Sequence, residues 1–330
     1  MADVAAHAAE DVDRHGRKVV RKMLNGIVVP LLGAGANLSD RPAGAAWRFG
    51  RYDYLPNGRE LAAYLAEEFD APDEVRLGDD LLRVSQFVES TEGSGELYQQ
   101  LHRVFDGDYE PGALHAFLAE LAPTLRERGN GLQVILTTNY DDALERAFEA
   151  KAEPYDLITY IASSPREFRG RFMHWPPGEQ PRVIESANDY QGLDLKQRTV
   201  ILKLHGAVRR RSEGFDQDNY VITEDDYIEY LSQMNVEDLL PQAVTSRLRN
   251  SHFLFLGYSL RDWNLRVMLH RIWGEQPLEF PSWAIQNHVD ELEQAVWSKR
   301  NVEILQLELG EYVERLRAVV RETAAAGAGA

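Results

Sequence analysis

The sequence predicts an α/β fold, a Rossmann-like, doubly wound, mostly parallel sheet carrying a helical insertion. Three observations lead to that expectation. Short apolar runs recur without the polar alternation of a one-sided sheet, most of them end in turns rich in Gly, Asn or Asp, and amphipathic helices separate them. With 330 residues, 44% of them hydrophobic and 27% charged, the chain can bury a substantial core, and residues 1–330 read as a single domain.

Taken in order, residues 12–24 place Val12, Val19, Met23 and Leu24 broadly on one side of a helix, and Gly26 supplies its stop. "IVVPLL" then reads as a short buried strand, although Pro30 is out of place in a central ladder. Asn37 to Gly58, rich in Gly, Pro and Arg with scattered aromatics, is too long for a plain connector and reads as an ordered, functional loop. Residues 58–129 return to the helical period in "NGRELAAYLAEEF", "DDLLRVSQFVES", "GELYQQLHRVF" and "GALHAFLAELAPTLRERG", a helical block set after the first strand. "LQVILTTNYD" followed by "DALERAFEA" is strand, polar turn and helix, the unit of a parallel sheet.

Residues 153–195 lack a clear period and are rich in turn formers, so they read as a small irregular insertion. The strand pattern then resumes in "RTVILKLHG", "HFLFLGYSL" (leading into "DWNLRVMLHRIW"), "PSWAIQ" and "NVEILQLE". Residues 323–330, "TAAAGAGA", have nothing to pack and are expected to fray as a disordered tail.

Composition removes several function classes. The formal net charge of -17 gives no electrostatic footprint for a phosphate backbone, and the run Arg209–Arg211 is by itself more in keeping with a solvated face. The chain has no cysteine, which excludes disulfides, thiolate nucleophiles and cysteine-ligated metals. The first residues mix acids and bases, unlike a signal peptide, and no apolar run approaches the ~20 residues that span a bilayer, so a cytoplasmic location is expected.

In open parallel sheets, ligands bind at the carboxyl ends of strands. Four polar motifs fall there: Gly33 to Asn37, Thr137 to Asp141, His205 with Gly206, and Gly257 to Asp262. The first lacks the third glycine of a dinucleotide fingerprint and is equally the signature of a tight turn. Gly33 and Gly35 nonetheless allow close backbone approach, with Ala34 and Ala36 adding no bulk. In "TTNYDD", Asp141 or Asp142 can serve as a helix cap, which leaves Asn139 unexplained. His205 stands at a strand end before a glycine, where an imidazole titrating near neutrality can exchange a proton; His102, His115, His252 and His270 read as structural. Gly257 permits close approach and Ser259 can donate to a phosphate or ribose oxygen, though Ser259 or Asp262 can equally cap a helix.

Together "GAGAN", "TTNYD", "KLHG" and "FLGYSLRDWN", in this order, resemble the sirtuin superfamily, and most closely the bacterial sirtuin-like NAD-consuming domains of anti-phage defence. "LPNGRELAAYL", "NYVITEDDYIEYL" and "VEILQLELGEYVERL" extend the resemblance over most of the chain. It implies NAD held in an extended, inverted pose beneath a flexible loop, a part that falls to residues 37–58. Deacylating sirtuins carry a four-cysteine zinc module; this chain has no cysteine to hold one, and residues 153–195 stand in its place. That departure favours hydrolysis of NAD over protein deacylation.

The resemblance also implies roles. Asn139 orients water or the ribose hydroxyls, His205 acts as general base, and Asp141 holds the ribose or the local loop. Gly33, Ala34, Gly35 and Ser259 cradle the phosphates, with Ala36, Asn37, Thr138 and Gly257 completing the binding wall and Asp262 supporting the turn or the adenine. No metal is called for. NAD-dependent deacylation, ADP-ribosyl transfer and non-catalytic sensing of NAD or ADP-ribose remain as alternatives. A free-running NADase would poison its own cell, so control by homo-oligomerisation or by a partner is expected. Relatives suggest a HerA-type ATPase, an Argonaute-like protein or a nucleotide-sensing domain.

Overall fold

In the computed structural model, residues 2–76, 80–163, 166–208, 218–233, 239–260, 269 and 278–328 are described, with side chains from Val12 to Ala325. Its strands are β1 (Val28–Leu32), β2 (Val134–Thr137), β3 (Tyr155–Tyr160), β4 (Phe172–Trp175), β5 (Arg182–Val183), β6 (Thr199–Lys203), β7 (Gly206–Ala207), β8 (Asn219–Tyr220), β9 (His252–Leu256), β10 (Ser282–Gln286) and β11 (Val302–Gln306). The helices are α1 (Ala2–Leu24), α2 (Gly58–Glu68), α3 (Asp73–Arg76), α4 (Leu81–Glu92), α5 (Ser94–Phe105), α6 (Ala113–Arg128), α7 (Ala143–Ala150), α8 (Glu224–Gln233), α9 (Gln242–Arg249), α10 (Glu291–Ser298) and α11 (Leu309–Ala328).

Among the described residues, nine strands form one sheet in the order β11-β10-β9-β1-β2-β6-β3-β4-β5. The seven from β11 to β3 run parallel, and β4 and β5 add antiparallel at one edge. This is the α/β Rossmann-like architecture that the strand grammar predicts. Side chains alternate between the two faces of the sheet. From β1, Val28 and Leu32 join a core with α1, α6, α7 and α11, while Val29 and Leu31 join the opposite core with α8, α9 and α10. No helix of the described residues is long and apolar enough to cross a membrane.

Pro30 sits in the central strand, and the direction of its missing donor explains how. His252 N–H donates to Ile27 C=O and Gly33 N–H to Leu256 C=O, so odd-numbered residues of β1 point their polar groups at β9. Even-numbered residues point at β2, as Thr138 N–H donating to Leu32 C=O shows. Pairing with β9 is therefore continuous from Val28 to Leu32, and pairing with β2 is confined to Leu31 and Leu32. The ladder is weakened only at its foot, away from the carboxyl ends.

Three expectations are corrected. Residues 153–195 are not merely an irregular insertion: "YDLITY" is a parallel strand of the main sheet, and β4 and β5 extend it. Buried Asp156 and His174, 3.0 Å apart, break the apolar pattern there; Asp156 also accepts from Arg198 Nε, and His174 Nδ1 lies 2.5 Å from Tyr190 Oη. The helical block at 58–129 divides, because α2 to α5 form their own core cluster while α6 lies on the sheet face as the crossover between β1 and β2. Residues 323–328, expected to fray, continue α11.

Candidate active site

The carboxyl ends of β1, β2, β6 and β9 converge on a cavity of about 650 Å³, where the strand order passes from β2 on one side of β1 to β9 on the other. Open α/β sheets bind ligands at such a switch point, in pockets of roughly 300–1,000 Å³.

One wall is a seam of backbone. An added Cβ at Gly257 (φ +66°) would stand 2.0 Å from Ala36 N, at Gly35 2.7 Å from Gly257 O, and at Gly33 2.8 Å from Gly257 O. Gly35 N–H donates to Gly257 C=O at 2.8 Å and Gly33 N–H to Leu256 C=O at 3.1 Å. Gly33, Ala34, Gly35, Asn37, Gly257 and Ser259 all line the cavity. The open faces of the three glycines, however, are occupied by the opposing turn, and the N–H groups of Gly33 and Gly35 are already bonded within the protein. Ala36 does not reach the cavity: it is fully buried, with its N–H on Gly33 C=O. Asp262 and Arg209–Arg211 lie outside the described residues.

The other wall is built of side chains. Thr137 Oγ1 donates to Leu32 C=O at 3.2 Å and accepts from Asn139 N–H at 3.0 Å, which fixes the turn after β2. Asn139 Nδ2 donates to Gly33 C=O at 3.2 Å, so its carbonyl oxygen is left to offer a ligand. Asp141 Oδ1 accepts from Ala143 N–H at 3.1 Å in an Asx turn one residue ahead of the cap position, Asp142, whose side chain makes no cap bond, and Oδ2 accepts from Asn37 Nδ2 at 2.7 Å. Asn37 Oδ1 is buried without a partner, a costly arrangement at a cavity wall unless a ligand or water supplies a donor. Thr138 also lines the cavity.

His205 lines the same cavity and is 5% exposed. Its Nδ1 is 3.3 Å from Tyr227 Oη, and Tyr227 and Tyr230 pack edge-on against the ring, leaving Nε2 for a ligand. Burial among these rings penalises the imidazolium and pushes the His205 pKa down to about 3. The expectation of a near-neutral pKa is thereby corrected: His205 is an uncharged imidazole throughout the physiological range.

Sequence reasoning missed what lies beneath this wall. Lys203, 1% exposed, pairs with Glu145 Oε1 at 2.6 Å and donates to the carbonyls of Asp141 and Tyr140. A lysine inside the apolar run "TVILKL" was the available signal. Tyr227 and the strand-end residues Gln286, Asn287 and Glu308 also line the cavity, and no spacing rule marked them.

Hydrogen bonds converge on two acidic side chains at the loop over the site. Glu60 accepts from both terminal nitrogens of Arg41, from Trp47 N–H at 2.9 Å and from Asn57 N–H at 3.0 Å. Burial pushes the Glu60 carboxyl up, but the hydrogen bonds from Arg41 and the two backbone N–H groups outweigh it, and the net shift is downward. Asp40 accepts from Ala113 N–H at the start of α6.

A profile for the SIR2-like domain matches residues 133–305, just over half of the chain and three of the four motif-bearing strand ends. The chain belongs to the SIR2-like family. It is 23% identical over 256 residues to defense-associated sirtuin 2 of Bacillus subtilis, covering 77% of this chain and 20% of that protein. It is 25% identical over 207 residues to the NAD(+) hydrolase ThsA of Cytobacillus dafuensis, with 62% and 33% covered, and 24% identical over 213 residues to that of Enterococcus faecium, with 64% and 36% covered. The chain thus spans between a fifth and about a third of the length of these relatives. In this SIR2-like chain, no group of three or more His, Asp or Glu suited to a metal ion occurs among the described residues.

Proposed function

We propose that this chain cleaves the nicotinamide–ribose bond of NAD with water as acceptor, releasing nicotinamide and ADP-ribose. The observation that carries this reading is the meeting of Asn139 and His205 on one cavity at the switch point of a SIR2-like domain. Relatives named NAD(+) hydrolase support the choice of substrate. Charge supports it too. Among the described lining residues there is no lysine or arginine, while Asp141 and Glu308 are present, a balance suited to a cationic nicotinamide ring and an oxocarbenium-like transition state.

Asn139 holds the ribose hydroxyls or the attacking water through its carbonyl oxygen. As the C1′–N bond breaks, its electron pair leaves with neutral nicotinamide. The water oxygen bonds to C1′, and its proton passes to Nε2 of His205. Water bonded to such a carbon is strongly acidic, so an imidazole with a depressed pKa suffices as acceptor, though a weak one. Its contribution belongs at the lower end of the general-base range, about 100-fold. The defence-associated relative supports a role in defence, in which NAD depletion would be the effector step and oligomerisation or a partner would hold it in check.

The test follows nicotinamide and ADP-ribose release by the purified full chain, alone and with candidate partners. Asn139→Ala and His205→Ala should each lower release about 100-fold while ADP-ribose still binds. Transfer to a protein or acyl acceptor would replace hydrolysis by group transfer, and NAD bound without nicotinamide release would make the site a sensor.

A further inference from the structure

Beneath the turn that carries Asn139 and Asp141 lies a buried ammonium with no part in the chemistry above. Lys203 is the last residue of β6, two positions before His205, and is 1% exposed. An ammonium has three donors. Its partners here are Asp141 C=O, Tyr140 C=O at 3.5 Å and Glu145 Oε1 at 2.6 Å. Glu145 belongs to α7, the helix that follows the turn, and is itself 6% exposed. The lysine therefore grips two consecutive carbonyls of the 138–142 turn and the first helical turn beyond it.

A buried ion pair is weak evidence for stability, since apolar residues of similar volume often replace one without loss. What an apolar pair cannot reproduce is the hold on the two carbonyls. We propose that Lys203 is a positioning residue, which through Tyr140 and Asp141 fixes the turn so that Asn139 is presented to the cavity at the height of His205. All three of its donors are committed to protein acceptors, so it acts through the turn and not on the ligand. The proposal rests on the NAD-hydrolysis reading only for its kinetic readout.

The test compares the wild-type chain with the double variant Lys203→Met Glu145→Leu, which removes both charges and leaves no unpaired ion. Expected is a kcat for NAD about 10- to 100-fold lower, the loss that accompanies small misplacement of reacting groups. KM and the ADP-ribose Kd should stay close to wild type, and the melting temperature should fall only modestly, since Asp141 C=O loses its Lys203 donor while Tyr140 C=O keeps Val208 N–H. A second variant, Lys203→Cys, uses the absence of any other cysteine in the chain. Alkylating its thiol with 2-bromoethylamine under denaturing conditions, then refolding, restores an ammonium of nearly lysine length and should recover most of the lost kcat, whereas iodoacetamide should not.

An unchanged kcat in the double variant overturns the proposal. So does a kcat loss accompanied by an equal loss of ADP-ribose affinity and of folding, which is the mark of a merely structural pair. If the wild type turns over no NAD, the hydrolysis reading fails by itself. The positioning role is then read from amide exchange, which must rise in residues 138–142 and stay unchanged in β2 and β6; no rise overturns it.

Discussion

The two walls of the cavity solve the same problem by opposite means. On the β1–β9 side, the turn at Gly33–Ala36 meets the turn at Gly257 backbone to backbone, and glycine is needed because no side chain fits between them. On the β2–β6 side, position is set by side chains: Thr137 on Leu32, Asn139 on Gly33, Asp141 on Asn37, and Lys203 on the carbonyls of the turn. The first wall is fixed by sterics, independently of pH and salt. The second is fixed by polar and charged groups in a low-dielectric interior, where each bond is strong when made and costly when lost. Chemistry that moves a proton needs the second kind of wall, and the first gives it something rigid to be measured against.

The largest effect should come from breaking the seam. Gly257→Ala combines a left-handed backbone with a Cβ 2.0 Å from Ala36 N and 2.4 Å from Gly35 C, backbone atoms that can move only if the turns part. A loss of more than about 4 kcal/mol is expected, near the upper end for single substitutions. Urea unfolding of Gly257→Ala beside Gly44→Ala, where an added Cβ meets nothing within 4 Å although φ is +80°, separates the contact from the backbone conformation. Equal losses in the two variants would show that strain alone is responsible and that the seam is not tightly packed.

This contrast also explains what could be read from the sequence. Six parallel strands were legible because their runs are mostly apolar, as strands covered on both faces tend to be, and "VILTTNYD" or "FLFLGYS" announces both the strand and its ligand end. Gly33 and Gly257 were legible as sites of close approach, but the sequence cannot say what approaches, and the answer is mainly each other. Asn139 and His205 were legible because polar residues at strand ends have few structural excuses. The pKa of His205 was not, since Tyr227 and Tyr230, whose rings enclose it, lie more than twenty residues downstream on α8. β3 was missed because buried Asp156 interrupts its apolar pattern, and the partners that make that burial tolerable, His174 and Arg198, are distant in the chain.

An intermediate effect is expected where the two walls touch. Asn37 Nδ2 donates to Asp141 Oδ2 across the cavity floor at 2.7 Å, linking the β1 turn to the β2 turn. Asn37→Asp keeps the shape and replaces the donor with a second carboxylate. At pH 7.5 two like charges at that distance should destabilise the fold by about 2 kcal/mol. As pH falls toward 5 the pair can share one proton, the hydrogen bond returns in another form, and the loss should shrink relative to wild type. Chemical unfolding of both proteins at pH 7.5 and 5 decides it. A deficit of equal size at the two values would mean that the walls are not coupled through this bond.

The effect that is smallest at neutral pH, because it grows only as acid is added, concerns the charge state of the side-chain wall itself. His205 has its pKa pushed from 6.5 down to about 3, so the unfolded chain takes up a proton below pH 6.5 that the folded chain refuses until about pH 3. Stability from this source is complete above pH 6.5 and drains away as pH falls toward 3, at up to about 1.4 kcal/mol per pH unit. His15, lowered to about 4 by burial and by Lys18, drains stability in an overlapping window, so the informative quantity is a difference between variants and not the wild-type slope. His205→Gln removes one titrating group, and its unfolding free energy should fall less steeply between pH 6.5 and 4 than that of wild type. The seam predicts the complementary result: Gly257→Ala should show the wild-type slope at a lower level, because sterics carry no proton. A His205→Gln slope equal to wild type would mean that the imidazole is more hydrated than its ring contacts imply. The low pKa, and with it the picture of a weak uncharged base, would then have to be given up.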